Sequence, residues 1–391
     1  MMKRLRASVI FAVGIFPFGV FAQVHPSETG GNNEPNAIRT AVPFMTIAPD
    51  SRSSGMGDLG VATAPDINAQ HWNPAKYVVL DEKGGVSLSY SPWLRSMVGD
   101  MNLLYLTGYM KIDRLQTMSA SLRYFDMGSI TFRDANGAEL LTGNPYEFAI
   151  DVGYSRKFSD NMSAALAFRY IRSDLSSGVS AQAGSKAKAG NSFAADFAAY
   201  YHSEMMLGTR RGTWALGASM SNIGAKMTYA NEQEKMFIPT NLAIGASAGI
   251  FFDEYNKLTM TLEFNKLLVP TPPIKSGNTI VKGKNDNVGV VKGIFQSFGD
   301  APGGFEEEIH EIACGVGLEY MYKNIFAVRT GYHHENRLKS NKRYFAMGVG
   351  VVLNVFEIDF SYLVTTQNRD PLANTLRFSL IFNFRQSQTT N

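Results

Sequence analysis

Few residues in this chain are placed to do chemistry. His333-His334-Glu335 puts three metal-ligating side chains in a row, and His310-Glu311 puts two together. Imidazole and carboxylate donors suit a zinc-type centre, which needs them to converge on one point. Both runs fall where the sequence alternates as a strand does, and in a strand neighbouring side chains point to opposite faces. His333 and His334 are therefore expected on different sides of one sheet, and no metal site is expected. The single cysteine, Cys314, falls on the apolar side of its segment. It reads as a buried, lipid-facing thiol rather than a nucleophile, and one cysteine excludes an internal disulfide framework. There is no nucleophile elbow and no phosphate loop. Gly55-Met56-Gly57 lacks the strand–turn–helix setting of a nucleotide site. No catalytic residue and no cofactor are expected, and the chain reads as a non-enzyme.

The elements that carry these residues repeat with a period of two. In 146–158, Phe148, Ile150, Val152 and Tyr154 alternate with Glu147, Ala149, Asp151 and Gly153. In 376–385, Leu376, Phe378, Leu380 and Phe382 alternate with Arg377, Ser379, Ile381 and Asn383. Helices need spacings of three and four, which are missing here. Fourteen such segments are expected, near 84–92, 102–112, 115–125, 145–158, 161–173, 191–202, 212–222, 239–252, 256–267, 309–322, 325–335, 342–353, 355–365 and 373–385. Their connections alternate between very short ones, such as Asp113-Arg114, Ser159-Asp160 and Lys323-Asn324, and long ones. The connection 203–211 is intermediate and breaks the rhythm. After residue 22 no apolar run approaches the roughly 20 residues of a membrane helix. Strands of about ten residues, an even count and alternating loop lengths point instead to an all-β, 14-stranded antiparallel transmembrane β-barrel. A large secreted β-sandwich is the competing architecture.

Composition agrees. Charged residues make up 18% of the chain, below the roughly one quarter usual in soluble domains. The net charge of +3 is small against 37 basic and 34 acidic side chains, so no nucleic-acid partner is expected. In a barrel, the apolar set should face outer-membrane lipid. Arg123, Glu147, Asp151, Arg169, Asp196, Glu263, Glu319, Arg329, His333 and Arg377 should line the lumen. Charges there are costly unless paired or wet, so paired charges in a partly filled barrel are favoured over a selective conduit.

The ends divide by composition. Lys3, Arg4 and Arg6, an apolar stretch from Val9 to Val20, and small residues at Val20 and Ala22 describe a signal peptide over 1–22,. Residues 23–43 read as a flexible mature N-terminus, 44–83 as a compact Gly-rich plug, 84–385 as the barrel and 386–391 as a tail. The connection 268–308 is far longer than an ordinary loop. Val269-Pro270-Thr271-Pro272-Pro273 stiffens its base, and Glu306-Glu307-Glu308 closes it. Between them Ile294, Phe295 and Phe298 form an apolar cluster that suits either partner binding or a lid over the lumen.

Ser51-Arg52-Ser53-Ser54-Gly55-Met56-Gly57-Asp58-Leu59-Gly60, followed by Trp72-Asn73-Pro74-Ala75, resembles the N-terminal segment of the FadL-like outer-membrane barrels. That resemblance implies fourteen strands and a plug entering from the periplasmic side. It makes Gly55, Gly57, Asn73 and Pro74 members of the plug motif. In length and order of segments the whole chain resembles one group within it, the PorV (LptO) family of the type IX secretion system. The resemblance implies a non-enzymatic protein that receives secreted cargo by the cargo's C-terminal signal domain beside the giant translocon barrel. It implies delivery to a cell-surface attachment complex containing the sortase PorU with PorQ and PorZ. It transfers no cargo-contact residues. A FadL-type transporter of long-chain fatty acids is the alternative, and an accessory in lipopolysaccharide processing a third.

Overall fold

The computed structural model describes residues 36–93, 100–133, 139–175, 188–229, 235–277, 279–365 and 375–384. The expected signal peptide, residues 23–35 and the tail 386–391 lie outside them. Within them, fourteen strands form one closed antiparallel ring. In chain order they are β1 (Gly84–Pro92), β2 (Asn102–Lys111), β3 (Gln116–Asp126), β4 (Tyr146–Lys157), β5 (Met162–Asp174), β6 (Gly190–Leu207) and β7 (Arg210–Gly224). The second half is β8 (Asn241–Phe251), β9 (Asn256–Leu267), β10 (Ile312–Tyr322), β11 (Phe326–His334), β12 (Arg343–Leu353), β13 (Phe356–Thr365) and β14 (Leu376–Phe384). Each pairs with its sequence neighbour, and β1 closes the ring on β14, with Leu88 opposite Leu380. Closure leaves no continuous sheet edge, which is what allows strands to cross a bilayer.

Two expectations are corrected. The connection 203–211 is not intermediate, because β6 runs to Leu207 and β7 starts at Arg210. Gly208, with φ of +63°, supplies the left-handed turn,. With that change short and long connections alternate all round the ring. The segment expected from 309 begins later, at Ile312, because Phe305–His310 is a helix. Its three acids, Glu306 to Glu308, sit in the first helical turn, where they meet the positive end of the helix dipole.

The two faces separate as the period of two requires. Leu262 is 42% exposed and Leu380 49%, whereas their neighbours Glu263 and Ser379 are 1% and 2% exposed. All ten charged or histidine residues expected in the lumen are buried. His333 is among them, while His334 lies on the other side of β11 near Tyr332. Cys314 pairs with outward-facing Phe264 and is half-buried on that outer face. Aromatic residues cluster towards both rims. At the long-loop end Tyr124, Tyr146, Phe148, Tyr170 and Phe193 form a ladder of ring contacts. At the short-turn end Tyr255, Tyr322 and Phe251 lie under Lys323 and Lys257. An apolar band between two such girdles is the outer surface of a membrane barrel.

This register makes a prediction. Leu262→Arg or Leu380→Arg should destabilise the inserted barrel by about 2–4 kcal/mol, read as a lower urea midpoint in lipid vesicles. Glu263→Gln should leave insertion nearly intact. Equal loss from both kinds of variant would contradict the assigned faces.

Candidate functional site

The lumen is filled by the chain's own N-terminal part. At the long-loop end, Asn36 N donates to Leu338 O at 2.9 Å and Ala41 N to Phe237 O at 2.8 Å. Ala41, Val42, Phe44 and Met45 then pack against Trp93, Leu103, Phe125, Ile171 and Ile238. Residues 36–43, expected to be flexible, thus include Val42, which is fully buried. From there the segment descends the whole lumen. Near the short-turn end, Tyr77 stacks on Tyr109 at 5.1 Å beside Ile67 and Ile381.

Backbone and ion pairs fix the filling to the wall. Helix α1 (Ser51–Gly55) is capped by Asp50, which accepts from Ser53 N at 2.9 Å and from Trp72 Nε1 at 2.7 Å. Burial, with Asp66 nearby, raises the Asp50 carboxyl to about 6. Arg52 bridges Asp66 at 2.8 Å and wall residue Glu319 at 3.0 Å. Glu319 is shared with Arg329, which also pairs with Asp359. Glu263 Oε2 accepts from Gly60 N and Val61 N, both at 2.9 Å. Lys76 Nζ donates to Gly60 O at 2.8 Å and Thr63 Oγ1 at 3.0 Å. Burial lowers this lysine's pKa, with Asp66 opposing. Arg123 donates to Phe44 O and Met45 O and, at 2.7 Å, to His71 Nδ1. A guanidinium can only donate, so His71 Nδ1 accepts,.

Three of the four plug-motif residues act through backbone geometry, and Asn73 through its side chain. A side chain on Gly55 would come within 2.9 Å of Gly348 Cα, so two glycines let helix and wall touch. Gly57 adopts φ of +87°, which favours glycine. Asn73 caps the 3₁₀ helix Pro74–Val79 through Ala75 N and donates to Val61 O and Ala199 O. Pro74 sits in the first turn, where no N–H is needed. At Gly331 an added side chain would collide with the Met56 carbonyl. Gly331→Val should therefore unseat residues 51–63 while leaving the ring closed. Limited proteolysis should cut within 51–63 several-fold faster, and unchanged rates there would contradict the packing.

A chamber of about 340 Å³ lies at the long-loop end of the lumen among the described residues. Ile38, Met45, Trp72 and Trp93 line it together with Glu263, Lys339 and Arg377.

The connection after β9 is a built structure. Lys266 Nζ reaches Glu308 at 3.1 Å and Glu311 at 2.7 Å, and Lys339 Nζ reaches Glu307 at 2.6 Å and Glu311 at 2.9 Å. Burial opposes ionisation of Glu307, but Lys339 prevails and lowers its pKa. Thr271 Oγ1 donates to Glu311 Oε1 at 2.5 Å, and Asp300 N and Ala301 N donate to Glu308 Oε1. Gly293 lies against the Phe237 ring, where a side chain would not fit. Above this base stands the expected cluster on helix α2 (Val290–Gln296) and just beyond it. Phe295 is 75% exposed, Phe298 53%, and Ile294 half-buried. Val291, Phe305 and Ile309 extend the exposed apolar surface. The sequence missed these ties because Lys266 and Lys339 lie outside the loop they hold.

Ring, filling and lipid-facing band define a plugged β-barrel of the outer-membrane type. Residues 30–274, more than half of the chain, match the family described as "Type IX secretion system protein PorV". The chain belongs to the PorV family. No curated protein matches it. Among solved structures, the toluene transporter TodX of Pseudomonas putida aligns at 12% identity over 86% of this chain and 99% of its own, with a TM-score of 0.49. The toluene transporter TbuX of Ralstonia pickettii gives 12%, 86%, 98% and 0.46. A FadL homologue of Pseudomonas aeruginosa gives 11%, 90%, 100% and 0.41. These likenesses are weak, and the fold rests on the strands themselves.

Proposed function

We propose that this protein binds the C-terminal signal domain of secreted cargo at the giant translocon barrel. It then passes the cargo to the surface attachment complex of the sortase PorU with PorQ and PorZ. In this reading the long loops face outward, and the protein acts by binding, without catalysis. Membership of the PorV family makes it a component of type IX secretion in the outer membrane. The observation that carries the finer reading is the braced loop with Phe295 and Phe298 held out in solvent. Such surfaces mark interaction sites when they are not folded away. Ile294, Phe295 and Phe298 are the proposed contacts.

The competing reading is transport of fatty acids. It needs an apolar passage, and the lumen instead holds a plug joined to the wall by the ion pairs Arg52–Glu319 and Asp58–Arg377. Affinity isolation from outer membranes separates the two. Co-purifying secreted proteins support cargo binding, whereas stoichiometric fatty acid without protein partners supports transport.

A further inference from the structure

The opposite, short-turn end carries a second surface. The β6–β7 hairpin projects past its neighbour β5, whose first residue, Met162, pairs with Tyr201. His202 N still donates to Asn161 O at 2.9 Å, and Asn161 Nδ2 donates to His202 O at 2.8 Å. Beyond His202, no strand among the described residues lies on that side of Ser203–Leu207. On the other side these residues pair with β7 down to Leu207 opposite Arg210. The β8 side of the hairpin overhangs only by Arg210 and Arg211, because Gly212 pairs with Ile250.

Backbone groups in an antiparallel strand alternate in the side to which they bond. His202 bonds towards β5, so Glu204 and Met206 present their N–H and C=O on that same open side. Five residues at about 3.4 Å each give an edge of roughly 17 Å. Natural barrels and sheets blunt such edges with proline, a bulge or a covering element. Here there is no proline, and the bulge of β6 lies far away, between Ala195 and Phe197.

The side chains around the edge are apolar and basic. Phe158 in the β4–β5 turn is 67% exposed, Met206 64% and Leu207 45%. Glu204 is already engaged by Arg211 at 3.7 Å, and Asp160 by Lys157 at 3.4 Å. Arg156 has no acidic partner among the described residues, whereas Arg210 lies over the Phe252 ring at 5.3 Å on the β8 side of the hairpin. We propose that the open edge Ser203–Leu207 takes up an extended segment of another protein, alternating apolar and acidic residues, as an added strand. The backbone bonds would hold it. On one face its apolar side chains would meet Met206, and on the other, the face of Leu207, its acidic ones would meet Arg156,. This surface is distinct from the long-loop cluster and does not depend on it.

Amide hydrogen exchange on the purified full chain in detergent tests the proposal. The probe is a synthetic eight-residue peptide alternating valine and glutamate. Without it, the amides of Glu204 and Met206 should exchange freely while that of Met205, facing β7, is slow. The peptide should slow Glu204 and Met206 at least tenfold, and a valine–lysine peptide should not. Met206→Pro, which removes one open-edge N–H, should abolish slowing at Glu204. Protection of Glu204 and Met206 before peptide is added would overturn the proposal, because the edge would already be covered. Protection that grows with protein concentration would overturn it in favour of a second copy. Unchanged exchange at saturating peptide would also overturn it.

Discussion

Replacing Arg329 with methionine should lower the stability of the inserted barrel by about 3–5 kcal/mol, the usual cost of removing one partner from a buried charge cluster. Arg329 is 2% exposed and serves three wall acids, Glu319, Asp359 and, at 3.9 Å, Glu357. Without it Asp359 and Glu357 keep no ion pair among the described residues, and Glu319 keeps only that with Arg52 of the plug. The effect should therefore exceed that of either lipid-face arginine. Urea unfolding in vesicles of fixed composition measures it. Adding Asp359→Asn to the variant should recover part of the loss, because a neutral amide is cheaper to bury than an unpaired carboxylate. If Arg329→Met costs less than about 1 kcal/mol, the range of an exposed pair, the cluster is hydrated and the lumen is not the packed interior described above.

The second large effect concerns partners. Ile294→Ser, Phe295→Ser and Phe298→Ser together should leave the ring closed and inserted while cargo co-purifies at least tenfold less well. Each such side chain, if fully covered by a partner, could contribute roughly 1.5–3 kcal/mol as an upper bound. Loops usually give back much of that gain in ordering. Here Lys266, Lys339 and Thr271 already hold the base, so little should be lost. Ile294 is half-buried and its loss could disturb the loop itself. Phe295→Ser with Phe298→Ser alone, both exposed, is the cleaner variant. Full partner yield from that double variant would move the docking site to another long connection, 126–144 or 223–238.

The barrel was legible because its signal is local. Leu262 and Glu263 are neighbours, and the alternation that separates lipid from lumen can be read within any ten residues. The period-two segments gave the ring its count, and the alternation of loop lengths supported its closure. That alternation failed only at 203–211, where Met205 and Met206 carry no clear pattern and β6 runs on past the wall. The filling was legible only as a motif. Arg52 meets Glu319 across 267 positions, and no period in the sequence links them. The polar run before Pro43 resembles a disordered arm in composition, yet Val42 is buried by Trp93 and Ile238, contacts supplied by distant loops. The His333-His334-Glu335 run was read correctly as two faces of one strand. Its 3.0 Å bond from His333 to Glu335 joins two same-face neighbours of that run, whereas the stacking of His333 on Tyr344 depended on β12, which the local sequence does not contain.

The most direct test is a titration of the purified full-length barrel with the isolated C-terminal signal domain of a secreted protein. Saturable one-to-one binding, weakened at least tenfold by the Phe295→Ser and Phe298→Ser double variant, is the expected result. Absence of binding by the folded wild-type barrel, with one-to-one uptake of a long-chain fatty acid by the same preparation, would contradict it.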